Sequence, residues 1–371
     1  MTQLNPVRMF DYIPQLKAIE AEVMQVISAV LYSGKLILGP ETARFETAYA
    51  QFVGAKQCIG VSSGTTAIQL ALMGLGIGAG DEVITVANTC VPTVAAIELT
   101  GATPIFVDVE EASLLMDVSL LEDAITDKTK AIVPVHLWGQ AVDMAALMPI
   151  ANAHNLFVVE DCAQAHGTQY RGQHVGTIGD AGCFSFYPTK NLGAYGDAGG
   201  IVTNRADLAD TLRLKRFYGY KERNRSLTTG MNARINEMQA AILRVKLAYL
   251  ADQLVARMGN AARYNANMAA DGIQTPYLND DAIHSYHQYV IRCDNRETII
   301  ARLQAAKIGF GIHYPIPVHQ MKPYAHLRQV PESLPVTTRA SKQILSLPVH
   351  EALQPDEVER VIATVNQYEV A

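Results

Sequence analysis

Three short stretches of this 371-residue chain carry residues whose types and spacing suit chemistry. At 62–67, SSGTTA stands where an apolar run gives way to a helical pattern. Gly64 permits a tight turn there, and the amides that follow face outward at the positive end of a helix, which makes a cradle for phosphate. Such a turn can also be a plain helix cap. At 158–167, VVEDCAQAHG ends an apolar run in two adjacent acids, Glu160 and Asp161. Side chains alternate along a strand, so one acid at most faces a cleft, where it can hold a cationic ring nitrogen; capping the next helix is the simpler alternative. At 182–200, GCFSFYPTKNLGAYGDAGG sets one lysine, Lys190, in a glycine-rich turn after Pro188 and Thr189. A lysine desolvated beside a sheet becomes a neutral nucleophile, whereas an exposed loop lysine does nothing of the kind. Taken together, a phosphate turn, a strand-end acid and a loop lysine are the three groups that pyridoxal phosphate (PLP) needs.

These residues require a scaffold that brings strand ends together. Short β-rich runs (QCIGVSS, DEVITVA, TPIFVDV, KAIVPVHL, LFVVEDCA, GCFSFYP) alternate with helical patterns, which predicts a doubly wound, mostly parallel sheet. IVTN at 201–204 reads as a further strand at an edge. Two helices precede the sheet, one ending at Gly34 and one running from Pro40 to Gly54. After residue 205, INEMQAAILRVKLAYLADQLVARMGNAARYNANMAA reads as one long helix without proline. A smaller α/β unit follows, and the expected division is a PLP-binding domain at 1–248 and a small domain at 249–371.

With 30 basic and 36 acidic residues, net charge −6 and no charge runs, the chain gives no reason to expect nucleic acid or an anionic membrane as a partner. The opening residues lack an apolar leader and no run is long enough to cross a bilayer, so a cytoplasmic location is expected. The five cysteines have no CxxC spacing and read as reduced, mostly buried thiols, which argues against a metal site.

The motifs SSGTTAIQLAL, VVEDCAQAHG, FSFYPTKNLGAYGDAGGIVTN and GMNARINEMQAAIL, with GDEVITVANTCVPTVAAIELTGATPIFVDV, resemble the DegT/DnrJ/EryC1/StrS family of PLP-dependent sugar aminotransferases, in family order over nearly the whole chain. The resemblance implies the aspartate-aminotransferase-like fold (fold type I), with a seven-stranded sheet in the large domain. It implies that Lys190 is the Schiff-base lysine and proton shuttle, that Asp161 pairs with the pyridinium nitrogen, and that Gln164 meets the ring hydroxyl. Ser63, Gly64, Thr65 and Ser185 would hold the phosphate. Asn232 would reach it from a neighbouring subunit, which implies a homodimer. The family's usual aromatic near position 90 is here Cys90, a small soft side chain that can still pack on the ring. Trp138 stands where family members more often show tyrosine, and suits core and site equally. A branch of the family with histidine in place of the lysine removes a hydroxyl instead, and Lys190 argues against it.

GIHYPIPVHQ and HSYHQYVIR resemble the subgroup that aminates C3 of a dTDP-linked 3-keto-6-deoxyhexose with L-glutamate as donor, a route to deoxyamino sugars such as those of lipopolysaccharide O-antigens. Tyr187, Tyr218, Arg223, Arg234, His313, Tyr314 and His319 are the candidates for sugar and nucleotide contacts; a rigid proline-flanked turn is the other reading of the His/Tyr loop. Alternatives are a C4 aminotransferase on a UDP- or dTDP-linked 4-keto sugar, and a PLP-binding regulator, which would want a DNA-binding module or a basic face. An amino-acid lyase or desulfurase would want a reactive loop cysteine. A Rossmann dehydrogenase is set aside because no GxGxxG follows the first strand.

Overall fold

The apolar runs fold as buried strands because Val, Ile, Phe and Cys fill both faces, which suits a sheet covered by helices on each side. In the computed structural model, which describes residues 5–367, these are β1 (Gln57–Val61), β2 (Glu82–Val86), β3 (Thr103–Val107), β4 (Thr129–Ile132), β5 (Phe157–Asp161), β6 (Ala181–Ser185) and β7 (Gly199–Thr203). Residues 1–4 and 368–371, the outer ends of the two expected domains and the first residues of the leader reading, lie outside the described part. The sheet runs β1-β7-β6-β5-β4-β2-β3, with β7 antiparallel to both neighbours. Ile201, Val202 and Thr203 of the IVTN run are therefore buried inside the sheet, not at its edge; β1 is the edge. An antiparallel strand pairs on both sides as readily as a parallel one, so nothing in its composition marks its position. Alternation divides the core: Ile84 and Val158 pack in one apolar cluster, Val83 and Val159 in the cluster on the other face.

Helices α1 (Ile13–Ser33) and α2 (Pro40–Val53) end where expected, each on a left-handed glycine, Gly34 and Gly54. Helix α3 (Gly64–Gly74) follows β1, α4 (Val91–Glu98) follows β2, α5 (Met144–Ala153) precedes β5, and α6 (Ala206–Lys215) follows β7. The long helical stretch is two helices, α7 (Glu237–Leu247) and α8 (Leu250–Asn267), with a break at Ala248 and Tyr249. Neither residue is a helix breaker; packing of α7 on α1 and α2, and of α8 on the C-terminal part, decides it.

The C-terminal part holds an antiparallel sheet, β8 (Ile273–Gln274), β9 (Tyr289–Cys293) and β11 (Ile344–Leu347), covered by α9 (Arg296–Ala305) and α11 (Pro355–Asn366). Its core joins Tyr264, Tyr289, Ile291, Leu345, Leu347 and Val361. Two exchanges cross the proposed division at 248/249. Val7 packs into this small core, and Gln329–Val330, as β10, adds an eighth strand beside β3. That two-residue strand has no apolar run to announce it. Helix α10 (Pro335–Gln343) follows it, and its first amides, Val336 N and Thr337 N, donate to Asp108 at the end of β3. No helix among the described residues is long and apolar enough to cross a membrane.

Candidate active site

The carboxyl ends of β1, β2, β5 and β6 meet over a cavity of about 330 Å³. Ser63, Gly64, Thr65, Cys90, Asp161, Gln164, Ser185, Tyr187 and Lys190, nine of the residues singled out above, line it together with Thr89 and Thr93. Convergence of strand ends is what a parallel sheet offers a ligand.

The two adjacent acids of β5 part as alternation demands. Glu160 turns inward and accepts from the amides of Gly176 (2.7 Å), Ile178 (2.9 Å) and Gly179 (2.7 Å). His136 Nε2 donates to it at 3.0 Å, its Nδ1 being the acceptor for Val142 N. Glu160 is thus a structural anchor with both oxygens engaged. Asp161 faces the cavity, 4% exposed, and accepts from Thr93 Oγ1 (2.7 Å) and Ala163 N (3.0 Å). Burial raises its pKa, and these two donors do not fully offset that cost. A cation brought beside it would.

The SSGTTA turn is both a cap and a cradle. Ser63 Oγ accepts from Thr66 N (3.1 Å) while Thr66 Oγ1 accepts from Ser63 N (2.9 Å), a reciprocal capping box. Gly64 and Thr65 are the first two residues of α3, so their amides have no acceptor within the helix and remain for an anion. Gly64 is required by the close approach of β6: a Cβ there would stand 2.8 Å from Ser185 Cβ. Ser185 is held from behind, its carbonyl accepting from His166 Nε2 at 2.8 Å, with His166 Nδ1 accepting from Tyr49 OH at 2.8 Å.

Lys190 closes a turn in which its amide donates to Tyr187 carbonyl at 2.9 Å. The side chain enters the cavity, and desolvation lowers its pKa; Cys90 and Asp161 pull the other way. A nucleophilic lysine needs its pKa moved in this direction. Tyr187, 52% exposed, stands at the mouth.

Gln164 ties the cavity to the 311–320 loop. Its Oε1 accepts from Trp138 N (2.8 Å), and its Nε2 donates to Tyr314 OH (3.1 Å). Trp138 is 2% exposed and has φ 60; its indole N–H donates to His313 carbonyl at 3.1 Å. The tryptophan is therefore core and latch at once. Burial, then the Cys90 thiol hydrogen-bonded to it, push the Tyr314 phenol up. His313 is braced by Ser346 Oγ at 2.8 Å.

Other candidates stand elsewhere. His319 is buried against Thr338 (3.2 Å) and lines a separate surface cleft, so it does not meet the cavity; Val318, pinned to Ala87 carbonyl at 3.1 Å, turns the loop away there. Asn232, Arg234, Tyr218 and Arg223 do not line their own chain's cavity. Asn232 is exposed and accepts from Arg234 Nε (3.0 Å); the Arg234 guanidinium lies over Phe217 and Tyr218, and Arg223 is exposed in the hairpin beyond them. Thr93 and His166 were missed by sequence reasoning. Thr93 had one available signal, its place one turn after Cys90 at the start of a helix; His166 had none beyond proximity to Asp161.

The lining fits pyridoxal phosphate group for group: free helix-start amides beside Ser185 for the phosphate, a buried carboxylate short of a cationic partner for the ring nitrogen, and a desolvated lysine for the aldehyde.

The model of the DegT/DnrJ/EryC1/StrS aminotransferase family matches residues 17–366. A dTDP-3-amino-3,4,6-trideoxy-alpha-D-glucose transaminase of Micromonospora megalomicea subsp. nigra is 45% identical, over 96% of this chain and 97% of that protein. A dTDP-3-amino-3,6-dideoxy-alpha-D-galactopyranose transaminase of Aneurinibacillus thermoaerophilus is 44% identical, over 94% and 96%. The crystal structure of S. venezuelae DesV in complex with a ketimine intermediate superposes with TM-score 0.96 at 40% identity, covering 98% of each chain.

Proposed function

This chain belongs to the DegT/DnrJ/EryC1/StrS aminotransferase family, and from that premise we propose that it moves an amino group from L-glutamate to C3 of a dTDP-linked 3-keto-6-deoxyhexose, giving a dTDP-3-amino-3,6-dideoxyhexose. It is a PLP-dependent nucleotide-sugar aminotransferase. The observation that carries the reading is the single cavity in which Lys190, Asp161 and the free amides of α3 converge. The position of amination and the nucleotide follow the two transaminases above, whose names specify 3-amino sugars on dTDP. A product destined for surface polysaccharide such as an O-antigen, made in the cytoplasm, suits that chemistry.

When bound, the cofactor supplies an aldehyde that accepts the amine and a ring that withdraws electrons from the reacting carbon. The amides of Gly64 and Thr65 with the Ser185 hydroxyl hold its phosphate. Asp161, supported by Thr93, keeps the proton on the ring nitrogen. Lys190 Nζ would take the proton from the donor's α-carbon and deliver it to the cofactor's C4′, across the intervening nitrogen, an assignment that requires it neutral when it acts. Gln164, its oxygen engaged by Trp138, offers its amide nitrogen at the ring's edge and through Tyr314 fixes the loop that covers the sugar.

The assembly we propose is a homodimer. Helix α1 and the residues after it leave Leu31, Tyr32, Leu36 and Ile37 outward, Tyr32 being 90% exposed, an apolar face that a second copy would cover. In the dimer, Asn232 with Arg234, Tyr218 and Arg223 would complete the partner's site, which accounts for their absence from their own.

The test is the absorbance of the PLP-loaded protein before and after L-glutamate. Wild type should convert to the pyridoxamine form and convert back on adding the keto-sugar; Lys190→Ala should do neither at a measurable rate. An unchanged wild-type spectrum with every amino donor tried would refute the reading.

A further inference from the structure

The loop that carries Lys190 closes on itself: its amide donates to Tyr187 carbonyl at 2.9 Å, and Ala194 N returns to Phe186 carbonyl at 2.8 Å. Those bonds shape the loop without fixing where it sits. Asn191, the next residue, is buried and reaches out of it. Its Nδ2 donates to Ser285 carbonyl at 3.0 Å, and its Oδ1 lies 3.2 Å from His287 Nδ1. Both partners stand in the stretch that leads into β9 of the C-terminal part.

The chemistry of the partners dictates this arrangement. A carbonyl oxygen only accepts, so the amide nitrogen of Asn191 faces Ser285 and its oxygen faces His287. His287 Nδ1 therefore carries a proton and donates. Burial, and after it the charge of Lys190, hold the buried His287 ring well below the usual histidine range, which keeps it in that neutral form.

The receiving stretch is itself firmly seated on the large sheet's loops. Ser285 N donates to Gly139 carbonyl at 3.0 Å and Gln288 N to Trp138 carbonyl at 3.2 Å. Ser285 Oγ lies 2.8 Å from Thr168 Oγ1, which donates to the same Gly139 carbonyl at 2.8 Å. A Cβ on Gly139 would fall 2.5 Å from Ser285 Oγ, so the two backbones approach as closely as glycine allows. Trp138 N in turn holds Gln164. One short stretch thus anchors the neighbour of Lys190 and the residue that orients Gln164, two side chains of the same cavity.

We propose that Asn191 is a positioning residue: by bonding Ser285 and His287 it sets the place of the Lys190 backbone, and hence the reach of Nζ into the cavity. Asn191 does not line the cavity itself, so its effect passes through the lysine. A displacement of about 1 Å is enough to slow a positioned group strongly. The kinetic consequence rests on the aminotransferase reading; the spectral one below does not.

Asn191→Ala and Asn191→Leu, the second close in shape to asparagine, should lower the limiting rate of the L-glutamate half-reaction about tenfold or more. The half-saturating glutamate concentration should change less than about twofold. His287→Leu removes one of the two bonds and should cost about threefold; it carries the test if urea unfolding shows that the Asn191 variants have not folded. Without any donor, the pH midpoint of the bound cofactor's absorbance should move by about half a pH unit or more in the Asn191 variants. With Lys190→Ala and saturating ethylamine in place of the side chain, adding Asn191→Ala should cost less than about twofold, because an untethered amine has no loop to place it. A limiting rate within twofold of wild type with an unmoved midpoint, a loss confined to half-saturation, or an equal loss in the ethylamine-rescued background would overturn the proposal. A moved midpoint in a protein whose cofactor no amino donor converts would uphold the positioning role and count against the aminotransferase reading alone.

Discussion

Thr93 Oγ1 donates to Asp161 Oδ2 across 2.7 Å and lies 2.8 Å from Thr89 Oγ1, so a buried hydroxyl pair supports the carboxylate that lines the cavity. Desolvation already raises the pKa of Asp161, and the Thr93 hydrogen bond is the largest influence opposing it. Thr93→Val should therefore raise it further and lower kcat about five- to tenfold, with Thr93→Ser restoring it. Asp161→Asn should retain cofactor through α3 and Ser185 yet lose on the order of a thousandfold in kcat, since the proton on the ring nitrogen is no longer held. Cofactor retention measured by absorbance, beside steady-state kcat, separates the two effects; equal activity of Thr93→Val and wild type would remove the threonine from the mechanism.

Trp138 reaches two functional groups, its backbone amide meeting Gln164 and its indole meeting His313 carbonyl. Trp138→Phe keeps the packing and loses the indole donor. The KM for the keto-sugar should rise several-fold, roughly the effect of one hydrogen bond, with the glutamate half-reaction preserved. Half-reaction kinetics decide it, since a general packing defect would slow both.

Burial lowers the pKa of His166 to about 4, partly opposed by its hydrogen bond to Ser185 carbonyl and reinforced by Lys190. A folded-state pKa below the ordinary 6.5 means that the neutral ring is favoured by folding. That stability is fully present above pH 6.5 and is lost as pH falls toward 4, at up to about 1.4 kcal/mol per pH unit. His284, lowered to about 3, acts in the same direction. Denaturant unfolding of the cofactor-free protein at pH 7 and pH 4.5 should show a smaller loss in His166→Gln than in wild type; identical losses would mean that His166 titrates normally.

Asn232 is exposed and away from its own chain's cavity. If it serves the partner's site, Lys190→Ala and Asn232→Ala homodimers should each be impaired, and reassortment of the two after mild dissociation should restore about a quarter of wild-type sites. Failure of the mixture to exceed the sum of its parts, with heterodimers demonstrated by mass, would place Asn232 outside the site.

The chain's large-scale plan was legible because its signals are local. Gly34 and Gly54 end helices, apolar runs of five residues make buried strands, and the SSGTTA turn needs its glycine against Ser185. Where the signal was not local, reading failed. The helical run 235–270 has no proline, and its one glycine, Gly259, lies inside a helix, yet it splits at Ala248–Tyr249 because its two halves pack on different partners. IVTN gives no hint that β1 will cover its outer edge. His319 shares its motif with His313 and Tyr314, but Val318 pins the backbone to β2 and turns the histidine to Thr338.

Sequence alone singled out a loop lysine, a strand-end acid and a helix-start turn that the structure brings to one cavity, because each residue type at its place in a local element already suggests a chemistry. Only tertiary structure decided which of the two adjacent acids faces the cavity, what holds it there, and that Trp138 and Tyr314 join Gln164. Those choices depend on packing between segments up to 175 residues apart, as from Trp138 to His313, and such distances leave no local pattern to read.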